Sequence, residues 1–246
     1  MTPTPFLTPL SPPRPVRSFV RREGRITEAQ RRALETLSSC YQVPGGEDAL
    51  DLAALFGREA ERYLEIGCGA GETLVALAAC HPENDYLGVE VYRPGLGRLL
   101  RDIAAAALVN VRVLVDDAVE VLAERVPDHC LSGVYLFFPD PWPKSRHHKR
   151  RLIQPPFATL LREKLRPHGR VFVATDWEDY ALHILSVMSG EAGFVNLAGT
   201  AAFAPRPCWR PLTRYEQRAR QRGYVVRDMV FAPAIHSQTG RTAERL

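Results

Sequence analysis

The chain has 246 residues, 46% of them hydrophobic, which is enough for one sizeable folded domain. Its formal net charge of +4 is too small to indicate a partner, and no apolar run is long enough to cross a bilayer. The first 15 residues contain six prolines and no apolar signal core, which argues against export and predicts a cytoplasmic protein.

The cysteines are scattered along the chain. They form no CxxC pair, and no histidine lies at the spacing of a zinc site. We therefore expect reduced thiols and no bound metal. The five are Cys40, Cys68, Cys80, Cys130 and Cys208.

The N-terminal region changes character twice before regular elements begin. Proline density predicts disorder for residues 1–16, and residues 17–25 form a basic arm. Thr27 and Gln30 form a capping-box pattern that predicts a helix to about Cys40. Strands and helices then alternate. Strands are expected at 62–67, 85–90, 111–115, 133–138 and 170–176, and helices at 72–80, 94–107, 118–125, 155–166 and 177–189.

This alternation predicts an α/β fold. The strands are continuously apolar, as expected when helices cover both faces of a mostly parallel, doubly wound sheet. After residue 190 the pattern changes to a short strand at 194–197, a helix from about 213 and an antiparallel final strand at 224–231. We expect one domain over residues 17–232 and a flexible tail at 233–246.

The first predicted strand leads into a glycine loop. In such sheets, ligands bind beyond the carboxyl ends of the strands. Glu65 is followed by Gly67, Gly69 and Gly71, whose spacing allows a tight turn and a close backbone approach to a ligand. A simple packing turn is the alternative. Glu72 stands where a dinucleotide fingerprint requires glycine, which disfavours a pyrophosphate ligand.

Acidic residues also end the next two strands. Glu90 can accept two hydrogen bonds from ribose hydroxyls, whereas Asp117 is suited both to capping the next helix and to contacting adenine. Three acids around a glycine loop suit a nucleoside ligand that carries positive charge. S-adenosylmethionine, with its sulfonium and ammonium groups, is such a ligand.

The stretch 134–151, VYLFFPDPWPKSRHHKRR, joins a buried strand to a basic run. Two prolines fix the backbone around Asp140, which we place at the catalytic edge beside the reactive methyl group. Trp142 offers a face for stacking a base, and the basic residues offer phosphate contacts. A proline turn followed by a solvated loop is the alternative, and His147 and His148 lack local partners for a metal. The basic residues are Lys144, Arg146, Lys149 and Arg150.

Several segments together closely resemble the bacterial tRNA (guanine-N7-)-methyltransferase family, over about residues 17–231. They are LEIGCGAGE, GVEVY, DDAVEVL, LFFPDPWPKSRHHKRRL, VATDWEDYA and TRYEQR. The resemblance implies a Rossmann-like class I methyltransferase. It also implies transfer of a methyl group from S-adenosylmethionine to N7 of the variable-loop guanine, position 46 in tRNA convention. Cys68 and Ala70 depart from the bulkier residues that relatives often carry.

The resemblance also implies roles for single residues. Asp140 matches the catalytic acid. Cofactor-site positions are matched by Glu65, Glu90, Asp117 and Asp140. Substrate-binding positions are matched by Lys144, Asp176 and the segment 213–216, which contains Thr213, Arg214 and Glu216.

Two of these assignments have structural alternatives. Thr213 and Glu216 also form a capping-box pattern for a helix at 213–222. Asp176 either caps helix 177–189 or accepts hydrogen bonds from the guanine edge, and we favour the second.

Three rival functions are compatible with parts of this pattern. They are another class I methyltransferase, a non-catalytic RNA-binding module and a dehydrogenase. The PDPW segment with its basic run argues against the first, the intact glycines and acids against the second, and the glycine spacing against the third. The sequence does not decide the oligomeric state, and both a monomer and a homodimer are compatible with it.

Overall fold

The computed structural model describes residues 17–19, 24–190 and 193–234, and one sheet forms its centre. In chain order its strands are β1 (Arg62–Ile66), β2 (Asp85–Val89), β3 (Val111–Leu114), β4 (Leu131–Phe137), β5 (Leu165–Thr175), β6 (Phe194–Asn196) and β7 (Arg227–Pro233). Their order across the sheet is β3-β2-β1-β4-β5-β7-β6. Strand β7 pairs antiparallel with both β5 and β6, and the other four strand pairings of this sheet are parallel, which confirms the predicted mostly parallel sheet.

Helices connect the strands and cover the sheet. They are α1 (Glu28–Tyr41), α2 (Leu52–Phe56), α3 (Glu72–Cys80), α4 (Arg93–Ala105), α5 (Ala118–Glu120, continued by a π-helical turn, Val121–Arg125), α6 (Pro155–Lys164), α7 (Glu178–Ser189) and α8 (Arg214–Gln221). A 3₁₀ helix, Ser145–Arg150, follows β4. Within the described part of the chain, no helix is long and apolar enough to cross a membrane.

Alternate strand residues face two separate hydrophobic cores, because side chains alternate across a pleated sheet. On one face, Val134 and Leu136 of β4 join Phe157 of α6. On the other face, Tyr135 joins Leu99 of α4. Both faces are therefore buried, which is the physical reason for the continuously apolar strands.

The predicted capping box at the start of α1 is confirmed. The side chain of Thr27 accepts from the backbone N–H of Gln30, and the Gln30 side chain accepts in return from the Thr27 N–H. The Gln30 amide also donates to the carbonyl of Pro94 at 3.1 Å. This bond fixes α1 against the start of α4.

Helix α2 was not predicted from the sequence, and the predicted start of the tail was wrong. Asp51 caps α2 by accepting from the Ala54 N–H at 2.9 Å, and Gly57 ends it with φ of 71°. The basic run, for which a solvated loop was the alternative interpretation, forms the 3₁₀ helix. The predicted tail boundary at residue 233 falls inside the sheet, because Pro233 belongs to β7 and the Ala234 N–H donates to Gly193 at 2.7 Å.

The predictions for the two ends of the chain concern residues that the structure does not describe. The disorder expected for residues 1–16, and most of the tail, lie outside the described residues. All five cysteines are free thiols, as expected.

Candidate active site

The strand order reverses between β1 and β4, and this point defines the candidate site. From β1 the chain first moves outward through β2 and β3, then returns to β4 on the other side of β1. A crevice forms at such a reversal, beyond the carboxyl ends of the strands. The glycine loop after β1 and the segment 138–142 after β4 meet at this edge.

The glycine loop adopts a backbone that favours glycine at three positions. Gly67, Gly69 and Gly71 have φ values of 73°, 55° and 77°. At Gly71 an added Cβ would lie 2.1 Å from Cδ1 of Leu99, so close packing against α4 requires glycine there. At Gly67 an added Cβ would meet nothing within 4 Å. The bare backbone at Gly67 therefore faces open space that a ligand can fill.

Glu90 ties the end of β2 to the glycine loop. Its Oε2 accepts from the Gly69 N–H at 2.6 Å, and its Oε1 accepts from the N–H groups of Val91 and Tyr92 at 2.7 and 2.8 Å. A carboxylate offers about four acceptor sites. Three are occupied here, which leaves about one for a ribose hydroxyl rather than the two predicted from the sequence.

Glu65 is buried at the end of β1 with an oxygen that has no partner. Only 5% of the residue is exposed, and its Oε2 lacks a hydrogen bond. Burial, followed by the nearby Glu90 carboxylate, raises the pKa of Glu65 to about 8, while the backbone of Leu74 acts in the opposite direction. An unpartnered buried acid beside an open loop fits a ligand that carries positive charge.

Asp117 caps α5, which confirms the capping interpretation. Its Oδ1 accepts from the Val119 N–H at 3.0 Å, and its own N–H donates to Asp116 at 2.8 Å. Only 8% of Asp117 is exposed. Its predicted contact with adenine stays a prediction.

Two residues around Asp140 adopt left-handed backbone conformations. Phe138 has φ of 55° and Trp142 has φ of 46°, each costing on the order of 1–3 kcal/mol for a residue with a side chain. The Phe138 N–H donates to the Ala174 carbonyl at 2.7 Å, which holds this bend onto β5. Asp140 is exposed between them. Such strained segments often mark functional sites.

Trp142 holds the N-terminal arm rather than presenting both ring faces. Its Nε1 donates to the Ser18 carbonyl at 2.9 Å, and the Arg150 guanidinium lies 3.9 Å from its ring centroid. Arg150 also donates to the carbonyls of Arg17 and Phe19, each at 3.1 Å. The expected free stacking face of Trp142 is therefore covered by Arg150. Both residues bind the arm in this conformation.

The other basic residues of this segment divide into exposed and buried cations. Lys144, Arg146 and Lys149 are exposed and available to a partner. Arg151 is buried, pairs with Asp179 and donates to the Pro141 carbonyl at 3.0 Å. Across residues 17–19, 24–190 and 193–234, no group of three or more potential ligands forms a metal site.

Asp176 lies at the same edge, just after β5, and does not cap α7. The N-cap of α7 is Trp177, with no capping side chain. The Trp177 N–H donates instead to Oγ1 of Thr175 at 3.2 Å. The capping alternative is thus wrong, and the guanine contact of Asp176 stays a prediction.

The first turn of α8 combines a helix cap with a link to the glycine loop. Thr213 caps α8 by accepting from the Glu216 N–H at 3.3 Å. The Arg214 N–H donates to the Glu72 carboxylate at 2.8 Å, and its Nε contacts the same carboxylate. Sequence reasoning missed this use of Glu72, although an acid next to a glycine loop was the available signal.

Glu216 is fully buried among arginines rather than facing the edge. It pairs with three guanidinium groups at 2.6–2.9 Å, those of Arg206, Arg210 and Arg220. Burial alone would raise its pKa, but Arg206 and Arg210 outweigh burial and hold the pKa below its usual range. In this conformation Glu216 supports α8 and cannot touch a substrate directly. Its predicted substrate contact would need this cluster to open.

Comparison with known proteins places the chain in a family. A family model described as "Putative methyltransferase" matches residues 59–229. The tRNA (guanine-N(7)-)-methyltransferase of Nitrosospira multiformis is 54% identical over 221 residues, which cover 90% of this chain and 96% of that protein. The relative of the same name from Hydrogenovibrio crunogenus is 50% identical over 218 residues, covering 89% and 91%. The chain belongs to the tRNA (guanine-N7-)-methyltransferase family. The resemblance seen in the sequence segments is confirmed, and the chain is a methyltransferase.

Solved structures agree with this family's fold. The antibiotic-resistance methyltransferase Kmr aligns with a TM-score of 0.54 at 17% identity, over 79% of this chain and 96% of its own. The 16S rRNA methyltransferase KamB also aligns with a TM-score of 0.54, at 14% identity, over 87% and 96%. At these identities the likeness concerns the fold alone. It confirms the predicted Rossmann-like methyltransferase architecture.

Proposed function

We propose that this protein transfers a methyl group from S-adenosylmethionine to N7 of the variable-loop guanine, position 46, of tRNA, giving 7-methylguanosine. One observation carries the proposal: an acidic glycine-loop site and an exposed basic segment meet at one edge of the sheet. The acidic side suits a cationic nucleoside, and the basic side suits a polyanion. The names of the relatives that are about 50% identical support the same substrate.

The cofactor side fits S-adenosylmethionine through its charge and its open backbone. When bound, S-adenosylmethionine supplies an electrophilic methyl group on a sulfonium. Glu65 would provide the negative charge that its unpartnered oxygen leaves available. Gly67, Gly69 and Gly71 would let the backbone approach, and Glu90 would use its remaining acceptor site on a hydroxyl. Asp117 would contact the base while it caps α5.

Asp140 is the residue to which we assign catalysis. Guanine N7 already carries an in-plane lone pair, so no base is needed to remove a proton. Positioning therefore dominates, and it can contribute up to roughly 7–11 kcal/mol in ideal cases. Positive charge accumulates on the guanine during transfer. A fixed carboxylate at Asp140 would stabilise that charge, with Asp176 assisting on the guanine edge.

Binding of tRNA is assigned to the basic segment and the first turn of α8. Lys144, Arg146 and Lys149 are exposed and would contact phosphates. Arg150 would act with Trp142 by holding the N-terminal arm. We expect the target base to be extruded, which costs a few kcal/mol. At α8, substrate contacts are assigned to Thr213, Arg214 and, if its buried cluster opens, Glu216.

Transfer of a tritiated methyl group onto unmodified tRNA, followed by nucleoside analysis, tests the proposal. We expect the label in 7-methylguanosine, about one per tRNA. Label in another nucleoside, or label on protein with none on tRNA, would contradict it. The latter outcome would favour a different class I methyltransferase.

A further inference from the structure

An exposed tyrosine lies beside the catalytic edge without a packing role. Tyr215, in the first turn of α8, has 66% of its surface exposed. Its ring stacks on that of Phe138, with centroids 6.0 Å apart and planes 29° apart. Phe138 comes two residues before Asp140 in the chain. One face of Tyr215 is therefore supported, while the ring remains mostly open to solvent.

The supporting ring of Phe138 is held firmly. Its backbone is fixed in a left-handed conformation and bonded to Ala174. The Arg210 guanidinium lies 5.9 Å from the Phe138 ring centroid. Arg210 is itself fully buried and bonded to Glu216 at 2.6 Å and to Asp228 at 3.0 Å. The buried charge cluster thus gives Tyr215 a rigid base.

The start of α8 also connects both sides of the site. The Arg214 N–H donates to Glu72, which directly follows Gly71 of the glycine loop. The next residue, Tyr215, stacks on Phe138 at the end of β4. The first turn of α8 therefore links the glycine loop to the segment that carries Asp140. A base presented for transfer between these two places would lie beside Tyr215.

Trp142, another aromatic residue at this edge, is already engaged. Trp142 is covered by Arg150 and bonded to the arm through Ser18. Stacking on an aromatic ring is the usual way that proteins hold an unpaired base, because every base has a π face. Tyr215 supplies such a ring at the right place.

We propose that Tyr215 is the platform on which the extruded guanine stacks during methyl transfer. This rests on the proposed function. Tyr215 is a positioning residue: it orients the ring so that N7 faces the methyl group, while Asp140 and Asp176 contact polar atoms. Since stacking is tolerant of sequence, the platform would hold a purine of either kind, and the carboxylates would select guanine.

Three variants test the platform. Tyr215→Ala removes the ring, Tyr215→Phe keeps it without the hydroxyl, and Tyr224→Ala removes an exposed tyrosine beyond the other end of α8 as a matched control. Base–aromatic stacking corresponds to a loss of roughly 5- to 150-fold on alanine substitution. We expect a loss in this range for Tyr215→Ala in single-turnover methylation of tRNA. Tyr215→Phe should recover most of the rate, and Tyr224→Ala should match wild type.

Three further measurements separate stacking from a structural role. Melting temperature and S-adenosylmethionine affinity should be unchanged in Tyr215→Ala. A tRNA carrying 2-aminopurine at position 46 should be brighter when bound to Tyr215→Ala than to wild type, because stacking quenches its fluorescence. A Tyr215→Ala rate within two-fold of wild type, or a Tyr215→Phe rate as low as that of alanine, would overturn the platform. Failure of wild type to methylate tRNA would instead overturn the proposed function.

Discussion

Two buried glutamates, one beside the glycine loop and one in α8, have opposite electrostatic environments. Glu65, beside the glycine loop, is 5% exposed, and Glu216, in α8, is fully buried. Burial disfavours the charged form of both. Arg206 and Arg210 outweigh burial at Glu216 and hold its pKa low, whereas burial and the Glu90 carboxylate raise the pKa of Glu65 to about 8.

The difference separates a structural acid from a binding acid. Glu216 is satisfied by side chains of the protein itself and holds α8 in place. Glu65 has an unpartnered oxygen at an edge where ligands bind, so a cationic or hydrogen-bond-donating ligand would stabilise its charged form. Burial alone therefore does not reveal the role of an acid. The partners around it do.

Removing the charge of Glu216 should give the largest effect. In Glu216→Gln, the guanidinium groups of Arg206 and Arg210 lose their buried counter-charge. Breaking a buried ion pair in this way costs about 3–5 kcal/mol. We expect chemical denaturation to show a loss of this size, with a lower melting temperature. Glu28→Gln, at an exposed acid, is the control, and equal stability of the two variants would refute the structural role.

At the sheet edge after β4, Asp140→Asn should lower the rate of methyl transfer without changing the stability of the fold. The change keeps the size of the side chain and removes the charge that faces the developing guanine cation. Losing one preorganised electrostatic partner costs roughly 10²–10³ in rate, or about 2.7–4 kcal/mol. Single-turnover methylation at saturating tRNA and cofactor measures this loss. Cofactor affinity by calorimetry should stay near wild type.

A rate for Asp140→Asn within a few-fold of wild type would contradict its catalytic role. Asp176 would then be the next candidate. A fall in melting temperature without a fall in rate would identify Asp140 as a residue of the proline turn only.

The counterpart on the cofactor side, Glu65→Gln, should stabilise the free protein. The folded pKa of Glu65 is raised to about 8 from its usual 4.5, so the stability that its protonated form contributes is complete below about pH 4.5 and is lost as pH rises through 8. Each pH unit in that window corresponds to about 1.4 kcal/mol at most. Melting curves from pH 5 to 9 should show the variant gaining over wild type as pH rises. An unchanged difference, as expected for the surface control Glu120→Gln, would contradict the raised pKa.

The smallest effect concerns the exposed cations of the basic segment. Arg146 and Lys149 are exposed, whereas Arg150 is engaged with the arm. The Arg146→Ala, Lys149→Ala double variant should weaken tRNA binding and flatten its salt dependence by about 0.7 in slope for each lost phosphate contact. Filter binding at several salt concentrations measures the slope. The Arg101→Ala, Arg162→Ala double variant, which removes the same charge from α4 and α6, is the control. Weaker binding with an unchanged slope would rule out phosphate contacts.

The strand ends could be predicted because their signals are local. Apolar runs followed by Glu65, Glu90 or Asp140 identify the edge of a parallel sheet without knowledge of distant partners. The capping roles of Thr27 and Thr213 were also readable, because a cap involves residues three positions apart.

Partners distant in the chain could not be predicted. Trp142 is covered through contacts with Ser18, 124 residues away, and with Arg150. The link between Glu72 and Arg214 spans 142 residues. Nothing in local spacing indicates such pairs, so the sequence suggested a free Trp142 and an available Glu216.

Proton release on cofactor binding tests most directly whether Glu65 pairs with the positive charge of the bound cofactor. Calorimetry of S-adenosylmethionine binding at pH 7, repeated in buffers of different ionisation enthalpy, counts the protons released. We predict that wild type releases about one proton, because Glu65 is mostly protonated when free and ionises beside the bound cation. Glu65→Gln should release close to none and should bind more weakly. Equal proton release by wild type and Glu65→Gln would contradict the account.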